Sequence, residues 1–181
     1  MPYFYDSFLI QSWFMKTLII VRHAKSSWDN PMLTDHDRPL LEMGKKRTRL
    51  VVNKLQEMNI KPDLILCSSA SRAMETAQFI AKGLNYPREA IKSSSSYYLA
   101  STRDLMNEFF DMPDRFNTIM MIGHNPTLTN LANRFLSNPL DNLPTSGVVQ
   151  LCFKTESWDQ IHLAELESEL VITPKSAKSK D

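Results

Sequence analysis

Three short apolar runs in this sequence each stop at residues suited to binding an anion, and that repetition restricts what the chain can fold into. Leu18-Ile19-Ile20-Val21 runs into Arg22-His23, and Leu64-Ile65-Leu66-Cys67 into Ser68-Ser69, with Arg72 close behind. Ile119-Met120-Met121-Ile122 runs into Gly123-His124-Asn125-Pro126. Each run has the length and branched content of a strand buried on both faces, as parallel strands covered by helices are. In open α/β sheets, ligands bind beyond the carboxyl ends of such strands. Two arginines and two histidines delivered to one sheet edge would form an anion site with a nucleophile built in. Taken singly, each run is equally an ordinary core segment followed by a polar loop.

A chain of 181 residues that is 43% hydrophobic can bury one good core, so a single domain is expected. The net charge of +1 provides no global basic field of the kind a nucleic-acid binder uses. Cys67 and Cys152 both fall in predicted strands and read as reduced core residues of a cytoplasmic protein. The four glycines are too widely spaced to build a dinucleotide fingerprint or a P-loop. Residues 1–14 lack an amino-terminal positive cluster and are too short and polar to span a bilayer. They are expected to be an extension outside the domain, the alternative being a hydrophobic peptide docked on it. The domain itself is placed at 15–172, and the lysine-bearing residues 173–181 are expected to be a disordered tail.

Along the chain, the pattern predicts an α/β fold: a three-layer α/β/α domain with a mostly parallel sheet and an antiparallel strand near the carboxyl end. A helix is predicted to start near Pro39, burying Leu40, Met43, Val51, Leu55 and Met58 and turning Lys45, Lys46, Arg49 and Lys54 outward. Ser69 is the expected N-cap of the next helix, which aligns Ala70, Ala73, Ala77 and Ile80 and ends at Gly83. A short helix is expected from Thr102 to Phe110, and Asn125-Pro126 as N-cap and first residue of another, carrying Leu128, Leu131 and Phe135 inward. Val148 to Lys154 and Trp158 to Leu166 read as two strands.

The chemistry concentrates on four side chains. A neutral imidazole is a competent nucleophile toward phosphorus, and the adjacent Arg22 offers His23 a planar fork of donors that matches phosphate oxygens. The plainer alternative is a surface Arg-His pair at a strand end. Arg72 sits in the first turn of its helix, where the macrodipole disfavours a cation unless an anion is bound there; otherwise it reaches back to Asp63 or out to water. His124, ahead of a helix start, can donate to a phosphate oxygen, or it is simply a satisfied loop histidine. The four histidines show no zinc-type spacing, so no metal is expected.

The segments Arg22-His23-Ala24-Lys25-Ser26-Ser27-Trp28, Ser68-Ser69-Ala70-Ser71-Arg72-Ala73-Met74-Glu75-Thr76-Ala77 and Gly123-His124-Asn125-Pro126 resemble the three core motifs of the histidine phosphatase superfamily. With Asp35-His36-Asp37-Arg38-Pro39-Leu40 following the first, the wording is similar to the small SixA-type phosphohistidine phosphatase branch. The resemblance runs from about Met15 to Thr173-Pro174-Lys175. It implies a phosphoglycerate mutase-like fold and a phosphatase without a cofactor, acting through a phosphohistidine enzyme intermediate on a phosphohistidine-containing protein. It implies no nucleic-acid or membrane partner. His23 would be the nucleophile, with Arg22, Arg72 and His124 completing the phosphate pocket and Ser26 and Asn125 on its rim. Larger branches carry a glutamate proton donor where this chain has Tyr98-Leu99-Ala100-Ser101, so Asp35 or Asp37 would have to substitute, though Asp37 could instead anchor Arg38. The missing acid suits cleavage of a P–N bond better than of a phosphate ester. The rivals are a small-molecule phosphomonoesterase or mutase-like enzyme on the same pocket and a non-catalytic phosphoprotein-binding module.

Overall fold

The β-branched and apolar residues that alternate along the runs divide cleanly between two cores, and this division builds the layers. The computed structural model describes residues 15–178. The expectations for 1–14 and for the last three residues of the tail lie outside them. Strands β1 (Met15–Arg22), β2 (Leu64–Ser68) and β4 (Thr118–Gly123) lie at the centre, with β3 (Lys92–Ser94) outside β2. Strands β5 (Val148–Lys154) and β6 (Leu166–Ile172) complete a six-stranded sheet of order β3-β2-β4-β1-β5-β6. The pairs β1–β4, β2–β4 and β2–β3 are parallel, whereas β5 runs antiparallel to β1 and to β6.

Because side chains alternate across a strand, Leu18 and Ile20 face one side of the sheet and Ile19 and Val21 the other. On the first side they meet α3 (Thr102–Asn107), α4 (Thr127–Asn133), Phe109 and the fully buried Trp158. On the second they meet α1 (Glu42–Glu57) and α2 (Ser71–Gly83) through Val51, Val52, Leu55, Ala73, Ala77 and Ile80. Helices thus cover both faces, which is the expected three-layer α/β architecture.

Several local expectations are corrected. The first helix begins at Glu42, since Leu40 is held in a β-bridge with Ser26 and the Ser27 amide donates to the Pro39 carbonyl. Met43 is exposed, and small residues Gly44 and Thr48 occupy the buried stripe in its place. A Cβ at Gly44 would collide with the Lys25 carbonyl, so this glycine lets α1 approach the loop after His23. Ser69 does not cap α2; Ala70 occupies the N-cap, and the Ser68 hydroxyl accepts from the Ala70 amide. The helix ends at Gly83 as expected, but the left-handed turn falls to Asn85 (φ 54°), and Gly83 is required because a Cβ there would overlap Val52 on α1. Pro126, not Asn125, is the N-cap of α4. The last strand is Leu166–Ile172; Trp158–Gln160 is a 3₁₀ turn that pushes the indole into the core. Thr173 to Lys178 form a turn closed by Ser176 and the Ala177 amide, with Ala177 packed on the second core, where a disordered tail was expected.

Candidate active site

The carboxyl ends of β1, β2 and β4 converge because their registers place Arg22 opposite Gly123 and Cys67 opposite Ile122. The His23 amide donates to the Gly123 carbonyl (3.0 Å) and the Arg22 amide to the Gly147 carbonyl (3.0 Å), so the first motif continues the sheet edge. The Thr76 hydroxyl accepts from the Ala24 amide (2.9 Å) and donates to the Arg72 carbonyl (2.6 Å), tying the loop to α2. The three motifs are therefore one site.

His23 is held in the tautomer that a nucleophilic imidazole requires. Its Nδ1 lies 2.7 Å from the Ala24 carbonyl, which can only accept, so Nδ1 carries the proton and Nε2 keeps its lone pair. His124 sits with its ring centroid 5.0 Å away and its Nε2 2.8 Å from the Ser68 hydroxyl. Burial first, and then the neighbouring arginines, hold His23 at about 4. Burial and the His23 neighbour hold His124 at about 3. Both rings are neutral at pH 7, His23 as a free base and His124 as a neutral hydrogen-bonding group.

The cationic side is less exposed than the sequence suggests. Arg22 donates from Nη1 to the Leu143 carbonyl (2.7 Å) and Asn142 Oδ1 (3.3 Å). Asn125 donates to the same two acceptors, which makes it the partner that squares Arg22 against the loop before β5. Arg72 is 5% exposed and turns neither to Asp63 nor to water. It donates to the Asp35 main-chain oxygen and, from Nη2, to Asp35 Oδ2 (2.9 Å). Arg22 Nε, Arg72 Nε, His124 Nδ1 and Asn125 Oδ1 are buried without a protein partner. Buried polar atoms of this kind are rare unless a ligand or water completes them. All four belong to residues of the three motifs.

Asp35 and Asp37 separate sharply. Asp35 accepts from Arg72, from Arg38 (Nη2 2.7 Å) and from the Tyr98 hydroxyl (2.6 Å). The Tyr98 hydrogen bond, followed by the two guanidinium charges, holds its carboxyl at about 2. Asp37 instead pairs with Thr34 and His36 and makes no bond to Arg38, contrary to one expectation. Ser26 is buried in the bridge to Leu40, and among the described residues no hydrogen bond ties its hydroxyl to the cluster. Sequence reasoning gave no site role to Arg38 or Tyr98, and named Ser68 only as the end of an apolar run. Tyr98 occupies the segment where an acid was sought, its ring edge-on to His124 at 5.5 Å. The signal was available: a tyrosine in place of an absent glutamate is itself a polar group delivered to the same spot. Among the described residues, no three His, Cys, Asp or Glu side chains converge as metal ligands. No helix there is long and apolar enough to cross a membrane.

The neutral histidines have a measurable cost in acid. An unfolded chain protonates them near the ordinary 6.5, whereas the folded site does so only at about 4 and about 3. Between those limits the unfolded state binds more protons, so stability is lost as pH falls through this window. The ligand-free protein is expected to lose on the order of 5 kcal/mol between pH 7 and about 4.5 by denaturant titration, about half from each ring, at ~1.4 kcal/mol per pKa unit. His124→Gln should roughly halve that slope; an unchanged slope would place the acid sensitivity elsewhere.

Comparison with known proteins agrees with this geometry. Residues 18–93 match the model of the histidine phosphatase superfamily, branch 1. An uncharacterized chloroplastic protein of Arabidopsis thaliana is 33% identical over 154 residues, 80% of this chain and 70% of that protein. An uncharacterized protein of Mycobacterium tuberculosis is 31% identical over 141 residues, 72% of this chain and 85% of that one. Among solved structures, the protein histidine phosphatase SixA complexed with tungstate superimposes at TM-score 0.70 with 19% identity, covering 90% of this chain and 99% of that one. A mycobacterial glucosyl-3-phosphoglycerate phosphatase shares the fold at TM-score 0.56 and 14% identity, over 84% of this chain and 97% of that one. The sheet, the convergent motifs and the sequence matches lead to one assignment: this chain belongs to the histidine phosphatase superfamily, branch 1, and is a phosphatase with a catalytic histidine.

Proposed function

We propose that the protein is a phosphohistidine phosphatase that takes phosphoryl groups from protein histidine onto His23. In this mechanism His23 Nε2 attacks phosphorus as the P–N bond of the substrate breaks. Arg22, Arg72 and His124 carry the charge on the equatorial oxygens. Water then attacks the phosphorus on His23 and releases phosphate.

The observation that carries the substrate class is the state of the carboxylates. An alkoxide leaving group needs a proton in the transition state. Asp35 is ionised at any physiological pH, and Asp37 is engaged with Thr34 and His36. Tyr98 has committed its proton to Asp35, whose hydrogen bond pushes the phenol above its ordinary 10. A phosphoimidazole protonated on its other nitrogen needs none of them, because it departs as neutral imidazole with the bonding electron pair. Trapping an acid-labile phosphoenzyme, with turnover of a phosphohistidine protein far above that of sugar phosphates, tests this. Preferential turnover of sugar phosphates would favour a phosphomonoesterase, and no phosphoenzyme at all would favour a binding module.

The surroundings suit a protein substrate. Trp28 is 75% exposed and stacks on Arg38 (3.5 Å), and Leu99, 85% exposed, follows Tyr98. Large exposed apolar groups beside a polar pocket mark interaction surfaces. Trp28→Ala with Leu99→Ala is expected to lower kcat/KM on a phosphohistidine protein by about tenfold, the value of one or two interfacial side chains. Turnover of free phosphohistidine should stay unchanged; an equal loss on both would refute a docking role. A cytoplasmic setting fits the two free cysteines, Cys67 and Cys152.

A further inference from the structure

Arg72 is already paired with an anion that belongs to the chain itself. Both of its terminal nitrogens donate to Asp35, one to the main-chain oxygen and one to the carboxylate, and Nε has no protein partner. Arg22 differs: its protein acceptors are the Leu143 carbonyl and the Asn142 amide oxygen, which are neutral and do not compete for its charge. Asp35 receives four donors in all, Arg72 Nη2 and the Tyr98 hydroxyl on Oδ2 and Arg38 Nε and Nη2 on Oδ1. That constellation of two guanidiniums and a hydroxyl is what a phosphate would use. The Asp35 side chain is 45% exposed, while those of Arg72 and Arg38 are 6% and 10% exposed. The carboxylate is therefore the partner free to move, and the arginines are the fixed frame.

We propose that Asp35 is a tethered competitor for phosphate: the ligand binds Arg72 by exchanging for the Asp35 carboxylate, and product phosphate leaves by the reverse exchange. A phosphate dianion beside His23 and an ionised carboxylate on the same guanidinium repel each other. The displaced carboxylate keeps Arg38 and Tyr98, so the movement is short and readily reversed. A pocket built to hold a dianion would otherwise retain its product, and an internal anion provides the return force. This inference rests on the phosphate pocket assigned above but not on the identity of the phosphorylated substrate.

The test is calorimetric titration of the full chain with orthovanadate and with inorganic phosphate at neutral pH, wild type against Asp35→Asn. Binding by the wild type shows that the pocket takes the anion, and turnover of phosphohistidine tests the substrate separately. Asp35→Asn removes the competing charge and keeps the side chain's size, so both anions should bind about tenfold tighter or more, a change that ~1.4 kcal/mol produces. Product inhibition by phosphate should strengthen in parallel. Affinity that is unchanged or weaker in a folded Asp35→Asn protein overturns the proposal, because Asp35 would then be bracing Arg72 for the ligand. Should Asp35→Asn fail to fold with two buried arginines uncompensated, Asp35→Glu takes its place, keeping the charge but moving the carboxylate by one methylene out of register with Arg72 Nη2. Weakening that internal pair must tighten vanadate binding by roughly two- to fivefold, on the scale of one weakened hydrogen bond, and no gain refutes the exchange.

Discussion

Replacing His23 by alanine is expected to abolish the phosphoenzyme and lower turnover by roughly four orders of magnitude or more, the scale on which covalent enzymes lose activity with their nucleophile. The reason lies in how the ring is held. Its Nδ1 proton is fixed on the Ala24 carbonyl, which directs the Nε2 lone pair outward, and burial keeps the ring unprotonated well below neutral pH. No other side chain in the cluster offers the same combination, since His124 spends Nε2 on Ser68. The fold should survive. The backbone bond from the residue-23 amide to Gly123 does not depend on the side chain, and a desolvated imidazole is removed rather than a core residue. Full activity in a folded His23→Ala protein would refute the mechanism; loss of the fold would mean that the ring is structural, and His23→Gln would then be the informative substitution.

The parts of the molecule that were legible in the sequence are those where one physical signal dominates. Apolar runs bounded by polar loops located β1, β2, β4 and β5 to within a residue or two, because a strand buried on both faces admits little else. The alanine face of α2 was legible for a related reason, since close helix–sheet packing needs small side chains there. Elements decided by tertiary context were not. Pro39 looks like a helix start, but the Ser26–Leu40 bridge carries the chain past it. Trp158 has strand propensity and ends in a 3₁₀ turn because its indole N–H reaches the Phe116 carbonyl (2.7 Å) while the ring stacks on Phe109. At the site, two strand ends and the first turn of α2 pointed to the four side chains that the structure brings together. The Asp35–Arg38–Tyr98 network was not legible, as it joins segments about sixty residues apart through side chains that no local pattern links.

That network changes what is expected of Arg72→Ala. Loss of a charge-assisted, bidentate contact in a desolvated pocket is worth about 1.5–3 kcal/mol, a ten- to hundredfold drop in vanadate affinity. With Asp35 competing for the same guanidinium, wild-type binding already includes the cost of displacing it, so the drop should lie near the tenfold end. In an Asp35→Asn background the same Arg72→Ala change should cost more, and the difference between the two measures the coupling. Arg72→Lys should restore part of the affinity, since an ammonium keeps the charge but not the planar fork. The helix-dipole argument alone predicts that the ligand-free protein holds or gains stability when this cation leaves the start of α2. The structure reverses that sign: a guanidinium 5% exposed is removed from a carboxylate that remains, and the melting temperature should fall. Because Asp35 is nearly half exposed and keeps Arg38 and Tyr98, the loss should be modest, about 1 kcal/mol. A destabilised protein with unchanged vanadate affinity would make Arg72 a purely structural residue, and the phosphate would then have to be held by Arg22, His124 and the amides of the first motif alone.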